Sequence, residues 1–266
     1  MASRRAERIG IIVLLAAVLA AGIACQKREP GAASGEHWAE RVAAAYGGHD
    51  AFERTRTLAF DFVSYEDGAE KARFHHVMAL AGGPCLYETD AMTFARSPFL
   101  DDQTRSWKAI GLTLPPGRLA ARVDRIRRTG DVRVNGEQQS PELVRRVVER
   151  INNDSFWLLL PFQLHDPGVR LAEKGPVTLP DGRPAVALSL GFRADAGATP
   201  ADRWTVFVDP TSARILKTRV DLQNSSSFVE AEWSGSIKTG ALDLADQRTI
   251  GKRVIRFERL SATPVN

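Results

Sequence analysis

Asn152-Asn153-Asp154-Ser155-Phe156-Trp157-Leu158-Leu159-Leu160-Pro161-Phe162-Gln163-Leu164-His165-Asp166-Pro167-Gly168 is a polar lip followed by the most apolar run outside the N-terminus. It is too short to span a bilayer, which takes about 20 apolar residues. It is also too apolar to lie in water, so it must be buried in a core or against the inside of a sheet. Just upstream, Ser140 is suited to cap a helix, with Pro141 in the first turn and Glu142 favourable to the helix dipole. Leu143, Val144, Val147, Val148 and Ile151 supply one apolar face. The spacing predicts a helix running from Ser140 into the quoted stretch, where Pro161 ends or kinks it.

On both sides of this helix the pattern turns to period two. From Thr57, Leu58, Phe60 and Phe62 alternate with Ala59, Asp61 and Val63, and Arg73 to Leu80 returns after the turn Glu66-Asp67-Gly68. Pro84 to Glu88, Thr93 to Ser97 and Arg105 to Ile110 read as further strands. Pro115-Pro116-Gly117 breaks the series; Leu119, Val123 and Ile126 are spaced as on a helix, whereas Asp131 to Val134 suits a strand. Downstream, Val186, Leu188 and Leu190 alternate, Trp204 and Val206 belong to a strand Arg203 to Val208, and Asp209-Pro210-Thr211-Ser212 turns into Ala213 to Leu222. Phe228 to Ser234 and Lys252 to Glu258 follow. The connections are too short for crossover helices, which makes the strands an antiparallel meander. Before them, Trp38, Val42, Ala45 and Tyr46 mark a helix stopped by Gly47-Gly48, and Asp50 to Arg54 a shorter one.

The N-terminus is an address. Arg4, Arg5 and Arg8 precede an uncharged run, Ile9 to Ala24, and then Cys25, the order of a secretory signal. Gly22-Ile23-Ala24-Cys25 resembles the lipobox of bacterial lipoproteins, in which the cysteine is lipid-modified. Gly22 stands where that pattern carries an aliphatic residue. On this reading residues 1–24 are a lipoprotein signal peptide, Cys25 bears the lipid (palmitate), residues 25–35 are a flexible tether and residues 36–262 a single domain. Gln26 in place of Asp implies, by the same resemblance, an exported protein anchored at the periplasmic face of the outer membrane. An uncleaved anchor or a soluble export signal is the alternative. A lipidated Cys25 leaves Cys85 without an intramolecular partner, and its strand-like setting reads as a buried, inert thiol. Of the net charge of +4, Arg4, Arg5 and Arg8 against Glu7 account for +2. The nearly neutral remainder gives no basis for nucleic-acid binding. The basic run Arg118 to Arg133 is either a surface for anionic head groups or a solvated helix face.

The early helix closing on Tyr46-Gly47-Gly48, the meander, the helix running into Asn153-Asp154-Ser155-Phe156-Trp157-Leu158-Leu159-Leu160-Pro161-Phe162 and the late Trp204-Thr205-Val206-Phe207-Val208-Asp209-Pro210-Thr211 hairpin together resemble the LolA/LolB-like, outer-membrane-lipoprotein-sorting-like family. The resemblance implies an α+β fold: a half-open, curved antiparallel β-sheet, or incomplete β-barrel, with helices covering its concave face. It further implies an apolar cavity between them for lipid or acylated ligands. The lining candidates are then Leu58, Phe60, Phe62, Trp157, Leu158, Leu159, Phe162, Trp204 and Val206, with Asn153 and Asp154 as polar groups at the mouth. A core filled by these same side chains, in an envelope structural or interaction lipoprotein without ligand, is the rival reading.

Nothing in the sequence declares a reaction. There is no G-x-S-x-G, P-loop or dinucleotide fingerprint. His75 and His76 point to opposite faces of a strand and cannot chelate one ion together. His165-Asp166 are chain neighbours that rarely face each other, and Asp166 suits a turn before Pro167-Gly168. The expectation is therefore a non-enzyme without metal or cofactor.

Overall fold

The computed structural model describes residues 32–265, apart from 81, 98, 101–106, 109–112, 193–202 and 222–227. The signal and Cys25 lie outside the described residues, as does most of the Arg105 to Ile110 segment. Helices α1 (Ala32–Ala45) and α2 (His49–Glu53) precede strands β1 (Thr55–Glu66), β2 (Ala69–Ala79) and β3 (Pro84–Asp90). Helix α3 (Ala91–Arg96), the short pair β4 (Phe99–Leu100) and β5 (Trp107–Lys108), then β6 (Arg118–Asp124), β7 (Thr129–Val134) and β8 (Glu137–Gln138) follow. The long helix α4 (Pro141–Gln163) leads to β9 (Val169–Thr178), β10 (Pro184–Phe192), β11 (Arg203–Val208), β12 (Ile215–Asp221) and β13 (Phe228–Ser234). A small hairpin, β14 (Ile237–Thr239) and β15 (Leu242–Leu244), precedes β16 (Gln247–Ile250) and β17 (Arg253–Pro264).

Thirteen of these strands form one antiparallel sheet in the order β8-β7-β6-β3-β2-β1-β17-β16-β13-β12-β11-β10-β9. Two meanders are thus sewn together where the last strand, β17, pairs with the first, β1. The edge strands β8 and β9 are consecutive in sequence and separated only by α4. Laid flat, thirteen strands would be about 58 Å wide at ~4.8 Å per step, whereas the 23 residues of α4 span about 34 Å. The links at its ends are not extended: Asp166 and Val169 donate backbone hydrogen bonds to Gln163 and Asp166, both 3.0 Å. The connection requires the sheet to curl, and it does so without closing: β8 and β9 remain unpaired with each other. Along this connection α4 packs against β6 and β7. Fourteen residues of the helix are buried, including Leu143, Val147, Ile151, Trp157 and Phe162.

Local chemistry explains most element ends. Ser140 accepts a hydrogen bond from the Leu143 N–H (3.4 Å) at the start of α4. Gly47 and Gly48 close α1 through N–H donation to Ala44 (3.2 Å) and Ala43 (2.9 Å). Asp209 accepts from the backbone of Thr211 (2.9 Å) and Ser212 (2.7 Å), which fixes the expected turn and holds its carboxyl below the usual range. Cys85 is buried in β3, and burial pushes its thiol up.

Four expectations change. Helix α1 starts at Ala32, so residues 32–35 of the segment read as tether are helical, and Gly35 sits on the backbone of β9 at Leu171, where a Cβ would collide. Thr93 to Ser97 is not a strand: Thr93 to Arg96 belong to α3, with Ser97 its C-cap, and Asp90 caps the start by accepting from the Thr93 N–H at 2.8 Å. Leu119 and Val123 lie in β6, not on a helix: a separation of four fits both periods, and buried Ala121 between them selects period two, while Ile126 is 73% exposed at the turn. The arginines of this run accordingly decorate strands and turns, with Arg118 paired to Glu88, Arg127 to Asp124 and Arg133 to Asp131.

The fourth change concerns Pro161, which neither ends nor breaks α4. Proline has no N–H to give to the carbonyl four residues earlier, which leaves that of Trp157 without its helical donor. Arg248 of β16 replaces it, donating from Nε (3.1 Å) and Nη2 (2.6 Å) to the Trp157 oxygen. Its Nη1 donates to the carbonyls of Ala245 (3.1 Å) and Gln247 (2.9 Å), and the guanidinium lies 3.3 Å from the centre of the Trp233 ring. Burial lowers the Arg248 pKa to about 9, so the group is still a cation at neutral pH.

Candidate functional site

The nine apolar residues expected to line a cavity all lie in one hydrophobic core between α4 and the sheet, none more than 6% exposed. Leu58, Phe60 and Phe62 of β1 and Trp204 and Val206 of β11 contribute from the two meanders, and Trp157, Leu158, Leu159 and Phe162 from the helix. Trp204 meets Phe156 edge to face (4.9 Å between centroids) and Trp157 (5.9 Å). Its indole Nε1 is buried without a hydrogen-bond partner among the described residues.

Beside these rings sits a polar group that the sequence reading did not assemble. Asp154, expected at a mouth, is completely buried, and only Asn153 is partly open, donating from Nδ2 to Asp154 Oδ1 at 3.0 Å. Asp154 Oδ2 is 3.2 Å from His76 Nε2 of β2 and 3.2 Å from Arg150 Nε, one helical turn earlier. These are ion-pair distances without hydrogen-bond alignment. The Arg150 guanidinium lies over the Phe74 ring at 4.2 Å. The His76 ring stacks on Phe60 (4.6 Å) and meets Tyr87 of β3 edge-on (5.0 Å). His76 Nδ1 and the Tyr87 hydroxyl have no hydrogen-bond partner among the described residues. Burial drives the His76 pKa down against the pull of Asp154, and burial drives that of Tyr87 well up. Both side chains are therefore neutral at pH 7 and offer hydrogen-bonding atoms to the interior.

A signal for this cluster exists in the sequence. In β2, Phe74, His76 and Met78 share the inward face, so His76 is an ionisable residue at a core position; Arg150 and Asp154 are likewise spaced i, i+4 beside Val147 and Ile151. What could not be read is that β2, β3 and α4 meet there.

His75, as expected, faces the other way. On the outer surface its Nδ1 lies 2.8 Å from Asp61 Oδ1, while Arg73 (2.7 Å) and Arg259 (2.7 Å) donate to Oδ2. Burial alone would raise the Asp61 pKa; the donors together lower it. Arg259 meets Asp61 where β17 bulges against β1 between Ala59 and Asp61, with Arg259 at φ 49°. The neighbouring groove, about 590 Å³ and wide open, is lined by Glu70, Arg73, His75, Glu88, Arg118 and Arg259 among others. Its arginines are paired with acids in it and beside it: Arg73 contacts Glu70, Asp61 and Glu258, and Arg118 contacts Glu88.

A second grouping forms where α1, α2 and the end of α4 converge. Glu40, His49 and His165 bring their ligand atoms within 4.8 Å of one another. His165 follows the C-cap of α4 and pairs with Glu40, not with Asp166, its neighbour in the chain. Burial pushes the Asp166 carboxyl up, and its backbone, with the N–H on Gln163 and the carbonyl accepting from Val169, forms the turn. No described helix is long and apolar enough to cross a membrane.

No family model and no curated protein matches this chain. Among solved structures, it is similar to a DUF1329 family protein from Desulfovibrio piger (10% identity, 86% of this chain and 92% of that one, TM-score 0.45). It is also similar to a putative outer membrane lipoprotein-sorting protein domain from Vibrio parahaemolyticus (11%, 87% and 93%, 0.44). A LolA superfamily protein from Nitrosomonas europaea gives 8% identity over 89% of this chain and 96% of that one, with a TM-score of 0.45. These three similarities extend over most of the chain, at low identity and low TM-score.

Proposed function

We propose that this chain is an exported lipoprotein, anchored through Cys25 at the periplasmic face of the outer membrane, that holds a lipid or acylated ligand between α4 and the concave face of the sheet and catalyses nothing. One observation carries the reading: the helix–sheet interface is largely apolar yet, beside the Asp154–His76–Arg150 group, holds buried hydrogen-bonding atoms without a hydrogen-bond partner among the described residues, including His76 Nδ1, Tyr87 OH and Trp204 Nε1. Such groups each cost about 1–3 kcal/mol when left unpaired, and a few placed polar groups in an apolar site are what orients a bound ligand. An acyl chain parting α4 from the sheet would bring its carbonyl or head group to them. The rival, an envelope interaction protein with a filled core, is favoured by the nearly complete burial of the nine lining candidates.

Two variants test this. Tyr87→Phe removes an unpartnered hydroxyl and keeps the ring, so the free protein should gain about 1 kcal/mol while its lipid content, read by native mass spectrometry of the full chain, should fall at least severalfold. Undiminished lipid, or none in the parent protein, would move the reading to the filled core. Cys25→Ala should abolish metabolic labelling with palmitate and release the protein from the membrane fraction; continued labelling would refute the anchor.

A further inference from the structure

We propose that Glu40, His49 and His165 form a zinc-type divalent metal site that clamps α1, α2 and the end of α4 together. The sequence reading expected no metal and did not bring these three residues together; they are far apart in the chain and match no ligand motif. The fold nevertheless delivers them to one place. Gly48 starts α2 directly at His49, and Phe162, in the last turn of α4, stacks on Phe52 of α2 (4.5 Å, 11°), which puts the next histidine, His165, over the same short helix. The His49 and His165 rings lie 4.4 Å apart and perpendicular, an arrangement in which two imidazole nitrogens can address one point without stacking.

The donor set suits the metal. Two imidazoles and one carboxylate match zinc and its neighbours in the first transition row, in contrast to calcium or magnesium, which select oxygen. Four-coordinate zinc at ~2.0–2.1 Å separates its ligand atoms by about 3.3 Å; here His165 Nε2 is 3.5 Å from Glu40 Oε2, and all three ligand atoms lie within 4.8 Å. Small rotations of an exposed glutamate and a largely open histidine close the remainder. His49 Nε2 is buried and makes no hydrogen bond among the described residues, so the ring keeps an unused nitrogen. With three protein ligands the fourth position stays open to water or an incoming donor.

The test uses the untagged full chain in mild detergent, freed of metal and titrated with Co²⁺ as a visible probe, then with Zn²⁺ in competition. We expect one Co²⁺ per chain with the absorption of a four- or five-coordinate ion, displaced by Zn²⁺, and a thermal midpoint that rises with Zn²⁺ concentration. His49→Gln and His165→Gln should each weaken Co²⁺ binding at least about tenfold, and Glu40→Gln, at a surface position where folding is not at stake, should weaken it as well. His75→Gln, outside the group, should leave it unchanged. Absence of saturable Co²⁺ binding, or equal affinity in the parent and the three ligand variants, would overturn the site.

Discussion

In an Arg248→Ala variant, the free energy of unfolding falls by about 3–5 kcal/mol, the scale of losing a large buried group that completes other groups' hydrogen bonds. The side chain is fully buried, makes no ion pair among the described residues, and spends its donors on three carbonyls. Of these, the Trp157 oxygen is the informative one, because it lacks its helical donor only through Pro161. Replacing Pro161 by Ala returns an N–H to that oxygen. A cycle of Arg248→Ala, Pro161→Ala and the double variant, followed by urea unfolding, should therefore show Arg248→Ala costing about 1–2 kcal/mol less when residue 161 is Ala. Equal costs in both backgrounds would mean that Arg248 acts by filling space beside Trp233 and not by completing the helix.

Asp154→Ala should destabilise the protein by a comparable amount, about 3–5 kcal/mol at pH 7, because it strips the buried Arg150 guanidinium of a carboxylate 3.2 Å away. The same cluster sets a pH dependence. Burial lowers the His76 pKa in the folded protein, whereas the unfolded chain takes up a proton near pH 6.5. Below that pH the unfolded state binds more protons, so stability falls as pH falls, by up to about 1.4 kcal/mol per unit while folded His76 remains neutral. His76→Phe should flatten the profile between about pH 6.5 and 5. The lowered Asp61 carboxyl acts in a separate window: its contribution is present above the ordinary carboxylate range and is lost only as pH falls through its depressed value. A midpoint-versus-pH curve that is the same for the parent and His76→Phe would exclude a buried neutral His76.

The strands flanking the quoted stretch were legible wherever one face is buried and the other wet, as in Leu58-Ala59-Phe60-Asp61-Phe62, because alternation is imposed by the pleat itself. The caps at Ser140 and Asp209 and the stop at Gly47-Gly48 were legible for a similar reason: each satisfies backbone groups within five residues of itself. β9, with a weak alternation and an edge position, and the four-residue β16 carry too little pattern to stand out.

Chain-local chemistry thus determined most of the strand series, the long amphipathic helix, the turn at Asp209 and the burial of Trp157 to Phe162. Tertiary structure alone decided that Pro161 stays inside its helix, since the compensating donor comes from Arg248, 91 residues away from Trp157. It alone decided that Asp154 is a core residue facing His76, and that Glu40, His49 and His165 meet. The physical reason is common to all three: hydrogen bonds, ion pairs and ligand sets are satisfied by proximity in space, and one curled sheet with a helix crossing it brings residues together at separations on which no periodicity of the sequence bears.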